Sequence, residues 1–354
     1  MRNPKLNNRE AVSGAGRAKP LIKKVIFRNF RGILKGEVKL GPLTIIIGPN
    51  NSGKTTILEA LLLTHGFREI AGVRVSSILS SLHETLGSSG LLHLIHNYGV
   101  KLDRAVVGYE VGGDLHALVI LADNRIRFYF LRKVGSLDKL LGLSATELGE
   151  FKRIAAVERF SIRGEYLVEG LVGDALFVRY ELLRDYMKYV YRDWHAIANS
   201  GVASKAAEWV SRCLGEDFID VLAEPFGGRP SLQLYRADRT RVRLGDLGDG
   251  ARALLIAKIL LEHLRPNLFL WDDVEAHMNP KALSMLASMI ADFIEGGGQA
   301  VVTTHSLEAA LILSEVVGEG VIVRAGLVKG ELHTEYYGAE EVEKLKKLGV
   351  DVRV

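Results

Sequence analysis

Residues 43–63 combine a buried strand, a glycine-rich loop and a helix, and this order constrains the fold more than any other feature. Leu43–Ile47 reads Leu-Thr-Ile-Ile-Ile, which is typical of a strand buried on both faces of a parallel sheet. Gly48 to Gly53 interrupt the apolar run, and residues 55–63 predict an apolar-rich helix. We therefore expect an α/β fold with a mostly parallel core sheet.

The loop between this strand and helix matches the pattern G-x-x-x-x-G-K-[ST]. Its glycines allow backbone N–H groups to point inward at phosphate oxygens, and the helix directs its positive N-terminal end at the same anion. Lys54 is expected to reach the β- and γ-phosphates of ATP, and the Thr55 hydroxyl to ligate Mg²⁺. A chance match in an ordinary glycine turn is the alternative, but the flanking strand and helix argue against it. The predicted nucleotide-binding residues here are Gly48, Pro49, Asn50, Asn51, Ser52, Gly53, Lys54, Thr55 and Thr56.

Two further apolar strands end in polar residues. Residues 268–271 are followed by Asp272 and Asp273, and ligands of open α/β sheets bind at the carboxyl ends of strands. We expect Asp272 to hold Mg²⁺ and Asp273 to orient or deprotonate the attacking water. Helix-capping acids after a strand are the alternative. Residues 300–303 lead to His305, which either hydrogen-bonds a γ-phosphate or is an ordinary surface histidine.

A second glycine-rich element, Leu-Gly-Asp-Leu-Gly-Asp-Gly, ends at Gly250 and precedes an apolar helix predicted at residues 251–264. Because helix N-termini attract anions, Gly248, Asp249 and Gly250 are placed to contact a phosphate. One triphosphate already has its cradle in the first glycine loop, so a phosphate on a second copy of the chain is expected. A helix start with Asp249 as N-cap is the alternative, and the two interpretations are compatible.

Five motifs in a fixed order resemble the ABC-type ATPase heads of the SMC and RecF group. They are Phe-Arg-Asn-Phe-Arg-Gly-Ile at residues 27–33, the two glycine elements, Trp-Asp-Asp-Val-Glu-Ala-His-Met-Asn-Pro at 271–280, and Thr-Thr-His-Ser at 303–306. The chain looks most similar to stand-alone AAA family ATPases related to the OLD (overcoming lysogenization defect) proteins. The resemblance covers residues 21–65 and 230–354.

In that family two heads enclose two ATP molecules, so the resemblance implies a homodimer that forms on ATP binding. It also implies that Gly248, Asp249 and Gly250 contact the partner's γ-phosphate. The implied metal-supporting residues are Thr55 and Asp272, and the implied catalytic residues are Asp273, Glu275 and His305.

Three departures from the family pattern affect these expectations. Gly248 replaces the usual signature serine and removes one hydroxyl donor. Asp273 replaces the usual catalytic glutamate and is one methylene shorter, so hydrolysis is expected to be slow unless Glu275 serves instead. No glutamine occurs between residues 56 and 232, which leaves the family's lid glutamine without a candidate.

The order of predicted strands and helices indicates an ATPase core of residues 21–65 and 216–354. An inserted antiparallel β and helical lobe at 66–215 splits this core. Residues 1–20 are predicted to be a disordered basic arm, with contact to nucleic acid or an acidic partner as the alternative. The predicted strands are 21–30, 33–40, 104–111, 115–121, 125–132, 231–236, 268–272 and 299–303. The other predicted elements are a helical segment at 136–215 with a hairpin near 160–180, a helix at 280–294, and a C-terminal hairpin and helix.

Composition limits the protein class. The only cysteine is Cys213, which excludes a disulfide framework and a cysteine-based zinc site. Without an apolar run long enough for a bilayer or a signal peptide, we expect a cytoplasmic protein.

Residues 1–35 carry ten Lys/Arg and one acid, a net +9, which leaves −5 for the rest of this +4 chain. His93 and His96 have no partners at metal-ligand spacing and are predicted to be ordinary. Charged residues with only two glutamines indicate a thermophilic source.

The sequence therefore predicts an ATP-driven dimerising switch that uses Mg-ATP. DNA repair and phage defence are among the processes that use ATPases of this kind. One alternative is an ATP-binding clamp with negligible turnover that regulates a separate effector such as a nuclease. An OLD-type nuclease needs a further acidic domain, and the 49 residues after His305 are too few for one. A ring-forming AAA+ motor does not explain the glycine element before the acidic strand. Arg28 and Arg31 are expected either to touch nucleotide or to lie on a solvated strand edge.

Overall fold

The structure is a computed structural model that describes residues 21–85, 88–122, 126–150, 156–159, 173–318 and 320–353. The predicted arm at 1–20 and most of the predicted hairpin near 160–180 lie outside the described residues. The strands are β1 (Ile22–Phe30), β2 (Ile33–Lys39), β3 (Leu43–Ile47), β4 (Glu69–Ile70), β5 (Val73–Arg74), β6 (Arg104–Val111), β7 (Asp114–Ala122), β8 (Ile126–Leu131), β9 (Ala156–Arg159), β10 (Ala175–Val178), β11 (Phe218–Phe226), β12 (Arg229–Arg236), β13 (Arg241–Arg243), β14 (Leu268–Trp271), β15 (Gln299–Thr303), β16 (Gly320–Val328) and β17 (Glu331–Tyr337).

Within the described ranges helices follow groups of one to three strands, and short 3₁₀ turns connect several elements. The helices are α1 (Lys54–Leu62), α2 (Val75–Leu82), α3 (Leu137–Leu140), α4 (Ala145–Glu150), α5 (Leu183–Arg192), α6 (Trp194–Asn199), α7 (Val202–Leu214), α8 (Asp249–Leu264), α9 (Pro280–Glu295), α10 (Leu307–Val317) and α11 (Ala339–Lys347). No helix in the described ranges is both long enough and apolar enough to cross a bilayer.

Twelve of the described strands form one mixed sheet, in the order β10-β14-β15-β3-β16-β17-β2-β1-β6-β7-β8-β9. The first five are parallel to one another, and β1, β2 and β6 to β9 form an antiparallel half. The two halves join at β17, which is antiparallel to β16 and parallel to β2. The predicted α/β fold with a mostly parallel core and an antiparallel β region is therefore confirmed.

Two parts of the prediction were wrong. Residues 175–178, assigned to a hairpin in a mainly helical segment, form β10 and pair in parallel with β14 in the core sheet. A separate antiparallel sheet consists of β11, β12 and β13, of which only β12 was predicted. The division into a core and an inserted lobe at 66–215 remains a prediction, although β10 contributes to the core sheet from within that range.

The parallel strands are the centre of the hydrophobic core. Every residue of β3, β14 and β15 is buried, as expected for strands covered on both faces by helices. The buried side chain of Gln299 on β15 accepts from the backbone N–H of Ile22 at 2.9 Å and donates to the carbonyls of Ile22 and Gly41. This amide links the core sheet to the start of β1 and fixes their relative position.

Candidate functional site

The glycine loop after β3 has a backbone that most residues cannot adopt. Gly48 has φ 148°, and a Cβ atom there would lie 2.3 Å from the carbonyl oxygen of Ala325. Gly53 has φ 94°, and Asn51 also lies in the left-handed region. The loop therefore depends on glycine at these two positions, and it delivers the chain directly into α1, whose first residue is Lys54.

The side chain of Lys54 folds back over the loop. Its Nζ donates to the carbonyls of Gly48 and Pro49, both at 2.9 Å, and the side chain is buried. Burial lowers the pKa of Lys54, and the nearby carboxylates of Asp273, Asp272 and Glu275 oppose that effect. A cationic amine that faces three acids at a loop of backbone N–H groups is a suitable environment for a metal-bound polyphosphate.

Asp272 follows β14 and is the best-anchored acid of the site. Its Oδ1 accepts from Thr303 Oγ1 at 2.7 Å, and its two oxygens lie 3.3 and 3.2 Å from Thr55 Oγ1. Arg179 Nη1 lies 3.5 Å from Oδ2. Burial raises the pKa of Asp272 to about 6, with a further contribution from the charge of Asp273. A carboxylate next to a hydroxyl offers the oxygen ligands that Mg²⁺ prefers, so these residues fit that ion.

Thr303 and Arg179 were not identified from the sequence. Thr303 donates to Asp272 and also accepts from the backbone N–H of Asp273 at 2.9 Å, so one hydroxyl positions both acids. It is the first residue of the Thr-Thr-His-Ser motif and the last residue of β15, and this place at the end of a core strand was the available indication. Arg179 directly follows β10. Its place at the site could not be predicted, because the sequence pattern indicated a hairpin here and not a strand of the core sheet.

Asp273 and His305 face each other at the same sheet edge. Asp273 has φ 53°, and its Oδ1 lies 3.7 Å from His305 Nε2. Both side chains are partly exposed, so they can contact a bound ligand or water. The carbonyl of His305 accepts from Arg353 Nη1 at 2.9 Å, a long-range contact for which the sequence offered no indication.

Glu275 has a different environment from Asp273. Its Oε1 accepts from the backbone N–H of His305 at 2.6 Å, whereas its buried Oε2 has no hydrogen-bond partner. Ser52 Oγ, inside the glycine loop, is a second buried polar atom without a partner. Buried polar groups are normally satisfied, so two such atoms at one sheet edge are consistent with a site that a polar ligand completes.

The glycine element before α8 differs from the prediction in one respect. The N-cap residue is Gly248, and Asp249 is the first helical residue, paired with Arg252 at 2.9 Å. Gly250 packs closely on the turn after β14, where an added Cβ would lie 2.8 Å from the His277 carbonyl oxygen. No hydrogen bond or ion pair joins this element to the glycine loop within the described ranges.

Arg28 and Arg31 are both engaged by acids. Arg28 Nε pairs with Asp138 at 2.9 Å, and Arg31 pairs with the buried carboxylate of Glu59 on α1. Arg31 therefore does not lie on a solvated strand edge, and its contact with nucleotide stays a prediction.

His93 also differs from its prediction as an ordinary histidine. Its ring lies 4.1 Å from that of His83, centroid to centroid, and both histidines lie beside Glu59. His96 has a separate role, since its Nδ1 lies 2.7 Å from the carbonyl oxygen of Arg31.

Comparisons with known proteins agree with this architecture. The Smc head domain of Pyrococcus furiosus, solved with an extended coiled coil and bound to the C-terminal domain of ScpA, aligns with a TM-score of 0.54 at 13% identity. The alignment covers 93% of this chain and 99% of that one. The Smc head domain of Pyrococcus yayanosii, with a coiled coil and joint, aligns with the same TM-score at 10% identity and the same coverage of both chains. At these identities the similarity establishes the fold.

Sequence comparison gives the family. An OLD nuclease of Thermus scotoductus is 48% identical over 46 residues, which span 13% of this chain and only 9% of that protein. A family model described as "AAA ATPase domain" matches residues 21–169. Fold and comparisons together define a protein with an AAA-type domain on a fold similar to that of Smc heads. A second family model, described as "AAA domain, putative AbiEii toxin, Type IV TA system", matches residues 123–311, more than half of the chain, and the chain belongs to that AAA family.

Proposed function

We propose that this protein binds and hydrolyses Mg-ATP and acts as a switch in which two copies close around ATP and reopen after hydrolysis. The observation that carries the proposal is the convergence of Lys54, Thr55 and Asp272 at one sheet edge, with Thr55 Oγ1 within 3.3 Å of both Asp272 oxygens. Lysine, hydroxyl and carboxylate are the groups that P-loop enzymes use for phosphate and Mg²⁺.

In this proposal the phosphates of ATP replace the two carbonyls that Lys54 contacts, and Thr55 and Asp272 would hold Mg²⁺. Asp273 is the proposed base, because its carboxylate is partly exposed and lies beside His305, the proposed γ-phosphate sensor. Glu275 is the second candidate, although one of its oxygens already binds the backbone of His305. When bound, Mg²⁺ neutralises the charge that develops on the transferred phosphoryl group.

In this proposal the partner copy supplies a further contact to the γ-phosphate. Gly248 and the N-terminus of α8 present free backbone N–H groups, and the space around Gly248 is open, since an added Cβ would have no neighbour within 4 Å. A γ-phosphate held by the other copy would occupy this position. Association of two heads therefore depends on ATP.

The alternative function is an ATP-dependent clamp with negligible turnover that regulates a separate effector such as a nuclease or a DNA-bound protein. The shorter Asp273 and the occupied Oε1 of Glu275 favour this alternative. A phosphate-release assay on the parent chain, Asp273→Asn and Glu275→Gln separates the two functions. We expect release by the parent that requires Mg²⁺ and is lost in Asp273→Asn. ATP binding without phosphate release by the parent would instead establish the clamp.

A further inference from the structure

Two histidines and one glutamate that have no role in the proposed ATP site form a cluster. Glu59 is on α1 and its side chain is fully buried, His83 follows α2, and His93 is in the 3₁₀ turn Ser88–Leu94. One ligand atom from each residue lies within 4.8 Å of the other two. We call these three residues the Glu59 cluster.

The hydrogen bonds of the cluster indicate where its protons are. His93 Nδ1 lies 2.7 Å from the carbonyl oxygen of Gly90 and, because a carbonyl only accepts, this nitrogen carries the proton. His93 Nε2 therefore has a free lone pair, and it is buried without a hydrogen-bond partner. His83 Nε2 lies 2.6 Å from Glu59 Oε1, so one proton is held between this imidazole and the carboxylate.

We propose that Glu59, His83 and His93 bind a transition-metal dication of the Zn²⁺ class. Two imidazoles and one carboxylate suit Zn²⁺ and its neighbours in the first transition row, whereas Mg²⁺ and Ca²⁺ prefer all-oxygen sites. The bond from His93 Nδ1 to a backbone carbonyl is the outer contact that orients a metal-binding histidine. Metal binding releases the proton shared by His83 and Glu59 to solvent.

The site needs only a small contraction and remains accessible. Ligand atoms around a tetrahedral zinc ion are separated by about 3.3 Å, given bonds of about 2.0 Å. The cluster spans at most 4.8 Å, so its side chains must move together by about 1 Å. His83 keeps 20% of its side-chain surface exposed and provides the route for the ion.

Arg31 opposes metal binding. Its guanidinium pairs with Glu59 Oε2, the carboxylate oxygen that does not contact His83, and its Nη2 lies 3.5 Å from His83 Nδ1. A fixed positive charge next to the site reduces the affinity for a dication. If the cluster binds a metal, neutralising Arg31 should raise the affinity for the ion. If the cluster is only an ion-pair network that Arg31 holds in place, the same change should not raise it.

The position of the cluster gives the ion a structural role. Glu59 is on the helix whose first turn carries Lys54 and Thr55, while His83 and His93 come from the segment after it. A bound metal would connect that segment to α1, the helix that follows the glycine loop. Binding needs no ATP, so the inference does not depend on the proposed function.

The test is a titration of the full chain with Zn²⁺ by equilibrium dialysis and with Co²⁺ by visible absorption, without nucleotide. We expect one equivalent bound and, for Co²⁺, the intense visible bands of a tetrahedral site. His93→Gln should weaken binding at least about tenfold, whereas the control His195→Gln, at an exposed histidine on α6, should bind like the parent. Arg31→Gln should bind more tightly than the parent.

Binding that is equal in His93→Gln and His195→Gln, or no binding by the parent, would overturn the proposal. So would weaker binding in Arg31→Gln, provided that circular dichroism shows each variant to be folded. If His93→Gln does not fold, X-ray absorption of the zinc-loaded parent decides the question. Two imidazole ligands are expected, and an ion surrounded by oxygen alone would refute the assignment.

Discussion

Gly248→Ser restores the hydroxyl that ABC-type heads usually carry at the start of the signature helix, and its effect can be worked out from the structure. The N-cap geometry, φ −58° and ψ 151°, suits serine, and a Cβ meets nothing within 4 Å. Replacing glycine by serine at an N-cap changes helix stability by only a few tenths of a kcal/mol. The variant should therefore fold and melt like the parent.

The effect on dimerisation should be large, because each of two symmetric sites gains a hydroxyl bond to a γ-phosphate. A hydrogen bond to a charged group contributes about 1.5–3 kcal/mol, so two bonds contribute at least about 3 kcal/mol. The dimer dissociation constant should then fall by about 150-fold. Sedimentation equilibrium with Mg²⁺ and a non-hydrolysable ATP analogue measures this constant.

The control for this experiment is Gly250→Ser, two residues along the same helix. Its Cβ would lie 2.8 Å from the His277 carbonyl oxygen, so it should lower the melting temperature and should not promote dimerisation. If Gly248→Ser melts like the parent but leaves the dimer constant unchanged, the N-terminus of α8 does not contact a partner's phosphate. The two-head arrangement proposed above would then be refuted.

Three further predictions concern the glycine loop, the acids and a buried histidine. Lys54→Ala should weaken ATP binding about 30-fold, a loss of about 2 kcal/mol. The reason is that hydrogen bonds from the lysine ammonium to phosphate are stronger than its hydrogen bonds to backbone carbonyls. Calorimetry with Lys347→Ala, at an exposed site on α11, as control checks this, and equal affinities would refute it. Thr303→Val leaves Asp272 and the Asp273 N–H each one partner short and should lower the free energy of unfolding in urea by about 1–3 kcal/mol per group; an unchanged midpoint would contradict the role given to Thr303. Burial, reinforced by Arg68, lowers the pKa of His65 from 6.5 to about 4, so the unfolded chain binds the extra proton between those values. The free energy of unfolding should therefore be about 2 kcal/mol lower at pH 5 than at pH 7, and His65→Gln should remove that part of the difference.

The parallel core could be predicted because its residues carry local patterns. Apolar runs at β3, β14 and β15 predicted the strands, and the polar residues after β14 and β15 predicted the sheet edge where the acids and His305 lie. The glycine loop was equally clear, since the left-handed backbone at Gly53 requires a residue without a side chain.

Elements whose identity depends on distant partners could not be predicted. β10 is four apolar residues long, and only its parallel pairing with β14, about ninety positions away, makes it a core strand. β11 contains a proline and follows a helix, so neither periodicity nor composition indicated a strand. The Glu59 cluster was missed for the same reason, because residues 59, 83 and 93 have no metal-ligand spacing until the chain folds.

The register of the core sheet explains why the predicted site residues meet. Trp271 pairs with Val302, so the next residues, Asp272 and Thr303, lie side by side, and Thr303 in turn pairs with Ile46 on the strand that enters the glycine loop. Shifting β15 by one residue would turn Thr303 to the opposite face and leave both acids without their shared hydroxyl. The buried amide of Gln299, which joins β15 to the start of β1, helps to fix that register at the other end of the strand. The geometry around Thr55 and Asp272 is therefore set by core contacts along the whole length of β15 as well as by the residues of the site.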